Sequence, residues 1–272
     1  MAKFAEKLGF ESLWVSDHLF IPRPLADEYS NYLEPINTLS FVAAVTERVK
    51  LGTSVLVLPL RNPIVVAREA VTIDHLSNGR LILGVGAGWL EDEFRAVNIP
   101  ISERGRILEE QVNVLRSLWI EDQPDFEGRY TRLKNIAFEP KPVQTEGPPI
   151  WIGGNSEAAI RKAARIGDGW HPVALSPSDM ARGITAVKGS KITSGRFVFS
   201  LRRIVEIKEP QSKEEPNEVG TLVGTLREIR RVLEEYQRIG VQHFICYFDN
   251  ENMDKLLFTL NRFGEEYIES FG

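Results

Sequence analysis

The chain has 272 residues, of which 43% are hydrophobic and 26% charged, proportions that are ordinary for a globular protein. Its formal net charge of −5 argues against nucleic acid and anionic membrane surfaces as partners. No apolar run of 18 or more residues occurs, no signal peptide is expected, and the single cysteine, Cys246, allows no disulfide within the chain. We therefore expect a cytoplasmic protein.

Apolar periodicity alternates between strand and helix along almost the whole chain. In chain order, the predicted strands cover residues 12–16, 51–58, 81–85, 149–152, 169–173, 196–207 and 241–248. One short predicted helix ends at residue 8. The other predicted helices cover residues 39–45, 64–76, 104–119, 156–166, 180–187, 226–239 and 253–268. Residues 121–148 interrupt the alternation and are predicted to form a β-hairpin excursion.

This alternation predicts an α/β fold of the (β/α)8 TIM-barrel type, built as a single domain over residues 1–272. The hairpin excursion at residues 121–148 is an insertion between strands 4 and 5. Seven strands are predicted, because the chain begins in a helix that should follow a missing first strand. The strands at residues 12–16 and 241–248 would then have open edges. Either the natural start lies upstream or a partner chain covers the gap, and we expect a homodimer.

The carboxyl ends of the strands carry the functional groups in barrels of this type. Asp17 and His18 follow the first predicted strand, and they form the strongest candidate pair for acid–base chemistry. A histidine exchanges a proton near neutral pH, and a neighbouring carboxylate biases its charge. The alternative is a histidine that only caps the next segment. Asp17, His18 and His171 would bind a metal only if the fold brought them together, and no metal is predicted.

Two glycine-rich loops follow predicted strands and indicate a cofactor. Gly84, Gly86 and Gly88 do not match the G-x-G-x-x-G fingerprint of dinucleotide-binding folds, because the third glycine comes one residue early. The second loop, residues 153–156, precedes a helix, where free N–H groups and the helix dipole favour a phosphate. In the alternative interpretation, Asn155 or Ser156 is simply the N-cap of that helix.

Taken together, these motifs resemble the luciferase-like monooxygenase superfamily, especially its branch of coenzyme F420-dependent oxidoreductases. The resemblance extends from residue 1 to about residue 260. It is carried by residues 13–18, 51–56, 62–63, 78–89, 150–154, 167–170 and 240–244.

The resemblance implies a barrel that binds a flavin or deazaflavin at the carboxyl ends of its strands. It implies a bulge with a non-proline cis peptide at Ser54–Val55, and it places Asp17 and His18 near the reactive face of the ring. The cofactor-binding residues that follow are Ser54, Val55, Gly86, Ala87, Gly88, Gly153, Gly154, Asn155 and Ser156. The predicted substrate pocket contains Trp14, Trp89 and His171.

The predicted function is hydride transfer between coenzyme F420 and a small organic substrate, with Asp17 and His18 as catalytic residues. Two alternatives stay open at this point: an FMN-dependent monooxygenase of the same fold, and a truncated barrel that binds flavin or is purely structural. The sugar-phosphate dehydrogenases of the superfamily carry a catalytic glutamate where this chain has Trp89, which argues against sugar-phosphate oxidation. Loss of the first strand would weaken the cofactor site.

Overall fold

The computed structural model describes residues 1–26, 32–190, 197–208, 220–248 and 252–271, and in the last range it describes side chains only as far as Tyr267. In chain order the strands are β1 (Ser12–Val15), β2 (Lys50–Thr53), β3 (Leu56–Val57), β4 (Leu81–Gly86), β5 (Phe126–Glu127), β6 (Arg132–Leu133), β7 (Ile150–Gly153), β8 (Gly169–His171), β9 (Val198–Ile207), β10 (Thr221–Gly224) and β11 (His243–Phe248). The helices are α1 (Ala2–Lys7), α2 (Pro35–Val45), α3 (Pro63–Leu76), α4 (Glu91–Ala96), α5 (Arg104–Ile120), α6 (Glu157–Ile166), α7 (Pro177–Lys188), α8 (Leu226–Ile239) and α9 (Met253–Phe271).

The chain divides into two compact units, which are described separately. The central unit is Ser12–Gly153, and the flanking unit combines Met1–Glu11 with Gly154–Gly272. The single domain predicted for residues 1–272 stays a prediction.

The central unit is built on a parallel sheet in the order β1-β2-β4-β7, with β3 also paired to β4. Every residue of β4 is buried, as expected for a parallel strand that is covered on both faces. Gly52 pairs with Ile82, and Leu56 pairs with Val85. The chain therefore advances four residues from β2 to β3 while β4 advances three. The extra residue is a β-bulge. It contains Ser54–Val55, whose peptide bond is cis, as the family resemblance implied.

The hairpin excursion is present as the antiparallel pair β5 and β6. Its turn is held by Glu110 on α5, whose carboxylate accepts hydrogen bonds from the backbone N–H groups of Arg129, Tyr130 and Thr131 at 2.7, 2.8 and 2.6 Å. One carboxylate therefore satisfies three donors of a tight turn. The predicted hairpin is confirmed.

The flanking unit has β9 at the centre of its sheet, where β9 pairs in parallel with β8, β10 and β11. Helix α8 begins with the capping box of Thr225 and Glu228 and ends at Gly240, which has a left-handed φ of 111°. Its apolar face packs in a core with strands and α9; the buried members of that core are Val205, Leu222, Ile229, Leu233, Phe263 and Tyr267.

The predicted fold class is confirmed, because all seven predicted strands form and pair in parallel. Two elements were missed: α4, whose first turn is acidic, and β10, which has only four residues. Short elements give too few repeats for a period to be recognised.

Candidate active site

A buried carboxylate begins the loop after β1. Asp17 is only 5% exposed, and its Oδ2 accepts a hydrogen bond from the backbone N–H of Val57 at 2.9 Å. The guanidinium of Arg61 donates to both carboxylate oxygens, from Nη2 to Oδ1 at 2.8 Å and from Nε to Oδ2 at 3.3 Å. Asp17 therefore ties the loop after β1 to β3 and to the start of α3.

Arg61 is shared between two carboxylates. Its Nη1 donates to Glu34 Oε1 at 2.9 Å, at the N-terminus of α2. Burial disfavours the cation, but the hydrogen bond and charge of Asp17, with those of Glu34, outweigh it and raise the pKa of Arg61. The pKa of Glu69 is raised by its own burial and by the nearby charge of Glu34. These groups form a connected charge network on one side of Asp17.

His18 points to a different partner. Its Nδ1 lies 3.3 Å from Glu93 Oε2, and the other oxygen of Glu93 accepts the backbone N–H of Leu19 at 2.6 Å. The Glu93 side chain is 1% exposed and that of His18 is 10% exposed. Because a carboxylate only accepts, Nδ1 is assigned the hydrogen, which leaves Nε2 as the nitrogen available for exchange. Among the described residues, none forms a hydrogen bond to Nε2.

Two aromatic rings meet the imidazole of His18 edge-on. The ring of Tyr32 lies 5.0 Å away at 69°, and the ring of Trp89 lies 5.9 Å away at 86°. Such T-shaped pairs are a favoured geometry of aromatic contacts. We call Tyr32 and Trp89 the aromatic frame of His18. Trp89 is one of the exposed large side chains, so the frame borders the surface of the central unit.

The side chain of Val55 lies close to two glycines. A Cβ at Gly86 would lie 2.5 Å from Val55 Cγ2, and a Cβ at Gly153 would lie 2.8 Å from Val55 Cγ1. No side chain can therefore stand at either position while Val55 keeps its place. Gly88 is constrained differently, since its φ is +81° and a Cβ there would meet Val57 and Phe94. These glycines serve the packing of the carboxyl ends of β4 and β7.

The same arrangement fits a flat ring. Val55 is half-buried and stands above two positions that carry no side chain, which provides an apolar platform at the end of the sheet. Ala87 and Gly88 follow β4 and are also half-buried, with backbone amides beside small side chains. The chemistry of these residues suits the isoalloxazine of a flavin or the ring of a deazaflavin equally well. They do not discriminate between the two.

Three residues of the predicted phosphate loop, Gly154, Asn155 and Ser156, lie in the flanking unit. Asn155 pairs with the backbone of Val173, accepting from its N–H at 3.0 Å and donating to its carbonyl at 2.8 Å. Ser156 is the N-cap of α6 and accepts the N–H of Ala159 at 3.2 Å. Gly154 has a φ of +125°, and its carbonyl accepts from Trp170 Nε1 at 2.9 Å. Because the N–H of Gly154 already donates to the carbonyl of His171 at 3.4 Å, this loop offers a phosphate fewer free backbone donors than the sequence predicts.

His171 is fully buried. Its Nδ1 lies 2.8 Å from the hydroxyl of Ser200, which in turn donates to the carbonyl of Trp170 at 3.1 Å. Burial, together with the charges of Arg202 and His243, lowers the pKa of His171 to about 3. The imidazole is therefore neutral at physiological pH.

Trp14 is half-buried and packs within the central unit. Its ring stacks on that of Trp151 with the ring centres 5.2 Å apart, and a Cβ at Gly52 would lie 2.2 Å from it. Its indole Nε1 donates to Ser12 at 2.7 Å. Membership of Trp14, Trp89 and His171 in a substrate pocket stays a prediction.

The structure thus brings together two groups of predicted residues within the central unit. His18 contacts Trp89, and Val55 contacts Gly86 and Gly153, while Ser54 donates its N–H to Val15 at 2.7 Å. Asp17, Trp14, Ala87 and Gly88 also belong to the central unit, whereas four predicted residues belong to the flanking unit: Gly154, Asn155, Ser156 and His171.

Sequence reasoning missed three partners: Glu93, Arg61 and Tyr32. A signal for Glu93 existed, because it shares an i, i+3, i+4, i+7 spacing with Leu90, Phe94 and Val97. That spacing places the carboxylate on the apolar face of a helix, where an acidic residue needs a partner. Arg61 and Tyr32 carry no comparable signal.

The family model of the luciferase-like monooxygenases matches residues 1–208. The chain therefore belongs to the luciferase-like monooxygenase family. An uncharacterized protein of Mycobacterium tuberculosis is 33% identical over 182 residues, which cover 62% of this chain and 64% of the relative. An F420-dependent glucose-6-phosphate dehydrogenase of Kineococcus radiotolerans is 35% identical over 209 residues, covering 75% of this chain and 60% of the relative. The chain thus spans less than two thirds of the length of either relative.

A solved structure shares the fold. The crystal structure of the monooxygenase RslO1 from Streptomyces bottropensis matches with a TM-score of 0.84 and 23% identity, over 100% of this chain and 92% of that one. Within the described ranges, no helix is long and apolar enough to cross a bilayer. The same part of the chain contains no group of three or more His, Cys, Asp or Glu residues placed to hold a metal ion.

Proposed function

We propose that the protein is a hydride-transfer oxidoreductase that uses coenzyme F420 and acts on a small organic substrate. The observation that carries the proposal is the pairing of His18 with Glu93, which leaves Nε2 without a partner among the described residues. A histidine held in this way can take up or release a proton when a substrate is oxidised or reduced. The choice of F420 is supported by the relative at 35% identity, which is F420-dependent by name.

In this proposal the cofactor supplies the redox chemistry, and the protein supplies position and proton transfer. Val55, with Gly86 and Gly153 beneath it, would support the ring. Glu93 fixes the tautomer and the orientation of His18. Asp17 has both oxygens occupied by Val57 and Arg61, so its role is to hold the loop that carries His18.

A second candidate is an FMN-dependent monooxygenase. It is favoured by the family as a whole and by the fold match to RslO1, a monooxygenase. It would need a reductase partner and oxygen. The homodimer and the cytoplasmic location remain predictions.

The test is a fluorescence titration of the purified chain with F420 and, in parallel, with FMN. Tight F420 binding with weak FMN binding supports the proposal, and the reverse preference supports the monooxygenase. Binding of neither cofactor contradicts both.

A matched pair of variants tests whether the cofactor ring binds against Val55. Val55→Ala removes two methyl groups from the platform and should weaken F420 binding about tenfold, the effect of ~1.5 kcal/mol of lost apolar contact. Val65→Ala makes the same change at an exposed position of α3 and should leave the affinity unchanged. Equal effects of the two substitutions would place the ring elsewhere.

A further inference from the structure

Arg61 binds both ends of the segment that connects β1 to α2. The segment covers residues 17–34, and it begins with Asp17 and ends with Glu34. Two nitrogens of the guanidinium donate to Asp17, at 2.8 and 3.3 Å, and the third donates to Glu34 at 2.9 Å. The side chain of Arg61 is only 15% exposed, so these contacts are less screened than those of a surface ion pair. One side chain therefore joins two positions that are distant in sequence.

Each end of this segment carries one ring of the pair that meets edge-on. His18 directly follows Asp17, and Tyr32 stands two residues before Glu34. The centres of the two rings are 5.0 Å apart and their planes meet at 69°. Aromatic pairs of this kind need a defined distance and angle between the rings. The contact therefore requires that both ends of the segment keep their places.

Only one end is held by Glu93. Its carboxylate bonds to Nδ1 of His18 and to the backbone N–H of Leu19, and both of these residues belong to the beginning of the segment. At the other end, the ion pair of Glu34 with Arg61 leads back to the same region through Asp17. This second connection is what places Tyr32 relative to the imidazole.

The two carboxylate oxygens of Glu34 have different partners. Oε2 accepts the backbone N–H of Asn37 at 2.7 Å and caps the N-terminus of α2, whereas Oε1 accepts from Arg61. A cap needs only an acceptor oxygen, which an amide also provides. A strong bond to a guanidinium needs the negative charge. Glu34→Gln therefore keeps an acceptor for the cap and weakens the contact to Arg61.

The backbone of Arg61 is fixed by contacts outside the segment. Its carbonyl accepts from Nε2 of Gln111 on α5 at 2.9 Å, and its N–H donates to the carbonyl of Leu58 at 3.0 Å. Neither partner lies within residues 17–34. A change at Glu34 therefore releases the end of the segment and leaves Arg61 anchored.

We propose that Arg61 is a positioning residue, which sets Tyr32 against the imidazole of His18 by joining Asp17 to Glu34. Arg61 acts through these residues and takes no part in proton exchange itself. The inference rests on the proposed function in one respect, since it treats His18 as the residue that exchanges a proton. The ring contact itself needs no cofactor, so it can be measured on the chain alone.

The test follows the ring signals of His18 by NMR, in the purified full chain labelled with ¹³C-histidine and without cofactor. The chain has four histidines, and the signal that disappears in His18→Gln belongs to His18. Tyr32→Leu removes the second ring and defines where the His18 signal lies when the contact is absent.

Glu34→Gln should move the His18 signal toward its position in Tyr32→Leu, while the urea midpoint stays close to that of the wild type. Arg61→Lys should move the signal in the same direction, because an ammonium lacks the planar fork of donors that joins two carboxylates. If Arg61→Lys does not fold, Glu34→Gln decides alone.

The matched control is Glu157→Gln on α6. It makes the same change in an exposed ion pair, with Arg161 at 3.1 Å, and should leave the His18 signal in place. A His18 signal that stays at the wild-type position in Glu34→Gln overturns the proposal, because Arg61 would then contribute to stability alone. Equal movements in Glu34→Gln and Glu157→Gln overturn it as well.

The F420 titration of the wild type keeps the two proposals apart. Tight F420 binding together with an unmoved His18 signal in Glu34→Gln overturns the positioning role and leaves the proposed function in place. A signal that moves as expected, in a chain that binds neither F420 nor FMN, supports the contact through Arg61 and overturns the proposed function instead.

Discussion

Two histidines follow parallel strands in this chain, and they have opposite environments. His18, after β1, pairs with a carboxylate and lies against the aromatic frame at the surface of the central unit. His171, at the end of β8, is fully buried and bonded to the hydroxyl of Ser200, and burial lowers its pKa to about 3. Position at the end of a strand is the same in both cases.

The two imidazoles differ in the hydrogen-bond partner of Nδ1 and in their burial. A carboxylate on Nδ1 orients the ring of His18, whereas burial beside a neutral hydroxyl favours the neutral form of His171. Under the proposed function His18, which follows β1, serves chemistry, whereas the environment of His171 at the end of β8 predicts a role in the fold.

The largest expected effect is a loss of stability at His171. His171→Ala removes a ring from a fully buried site and should lower the free energy of unfolding by about 4 kcal/mol. His18→Ala removes a ring that borders the surface and should cost about 1–2 kcal/mol, because part of its cavity opens to water. Urea unfolding of both variants measures the difference. Similar losses at the two positions would remove the distinction.

The second prediction concerns the residue before His18. Asp17→Asn leaves the partly buried Arg61 without one of its two carboxylates and should cost about 3 kcal/mol, as when one member of a buried ion pair is removed. Glu34→Gln breaks the more exposed ion pair of the same arginine, at a carboxylate that is 39% exposed, and should cost less than about 1 kcal/mol. Equal costs, measured by urea unfolding, would show that Arg61 does not depend on Asp17 in particular.

The third prediction is a pH dependence that comes from His171. Its pKa is near 3 in the folded chain, so below pH 6.5 the unfolded chain binds a proton that the folded chain does not. Stability should therefore fall as the pH drops from 7 to 5, by about 2 kcal/mol from this group alone. His171→Gln cannot titrate, and its stability should fall by about 2 kcal/mol less over the same range. Parallel curves for the two proteins would contradict the assignment.

Much of the fold was predictable because strand and helix periods repeat over long segments. The seven strands were recognised for this reason. Gly167 shows the limit of a purely local signal, a glycine that follows a helix. It follows a predicted helix as Gly9 and Gly240 do, yet its φ is −98°, so this glycine does not adopt the left-handed conformation that often ends a helix.

The candidate site was predictable only in part. The sequence shows which residue stands at the end of a strand, but the side chain that contacts this residue comes from a distant part of the chain. Asp17 and His18 are adjacent in sequence, but Arg61 lies 44 residues from Asp17 and Glu93 lies 75 residues from His18. Without the partners, the two members of the pair looked equally suited to chemistry. Their contacts differ, because both oxygens of Asp17 are bonded by Val57 and Arg61, whereas Nε2 of His18 has no hydrogen-bond partner among the described residues.

The smallest expected effect is at Ser200, the partner of His171. Ser200→Ala removes the hydroxyl that joins His171 Nδ1 to the carbonyl of Trp170, and it should lower the free energy of unfolding by about 1 kcal/mol. The matched control is Ser190→Ala, since within the described residues the hydroxyl of Ser190 bonds to one helix carbonyl at an exposed position, and its removal should change the free energy of unfolding by close to zero. Both variants should keep the wild-type F420 affinity if His171 serves only the fold. A Ser200→Ala variant that unfolds normally but loses F420 binding would return His171 to the functional site and break the comparison with His18.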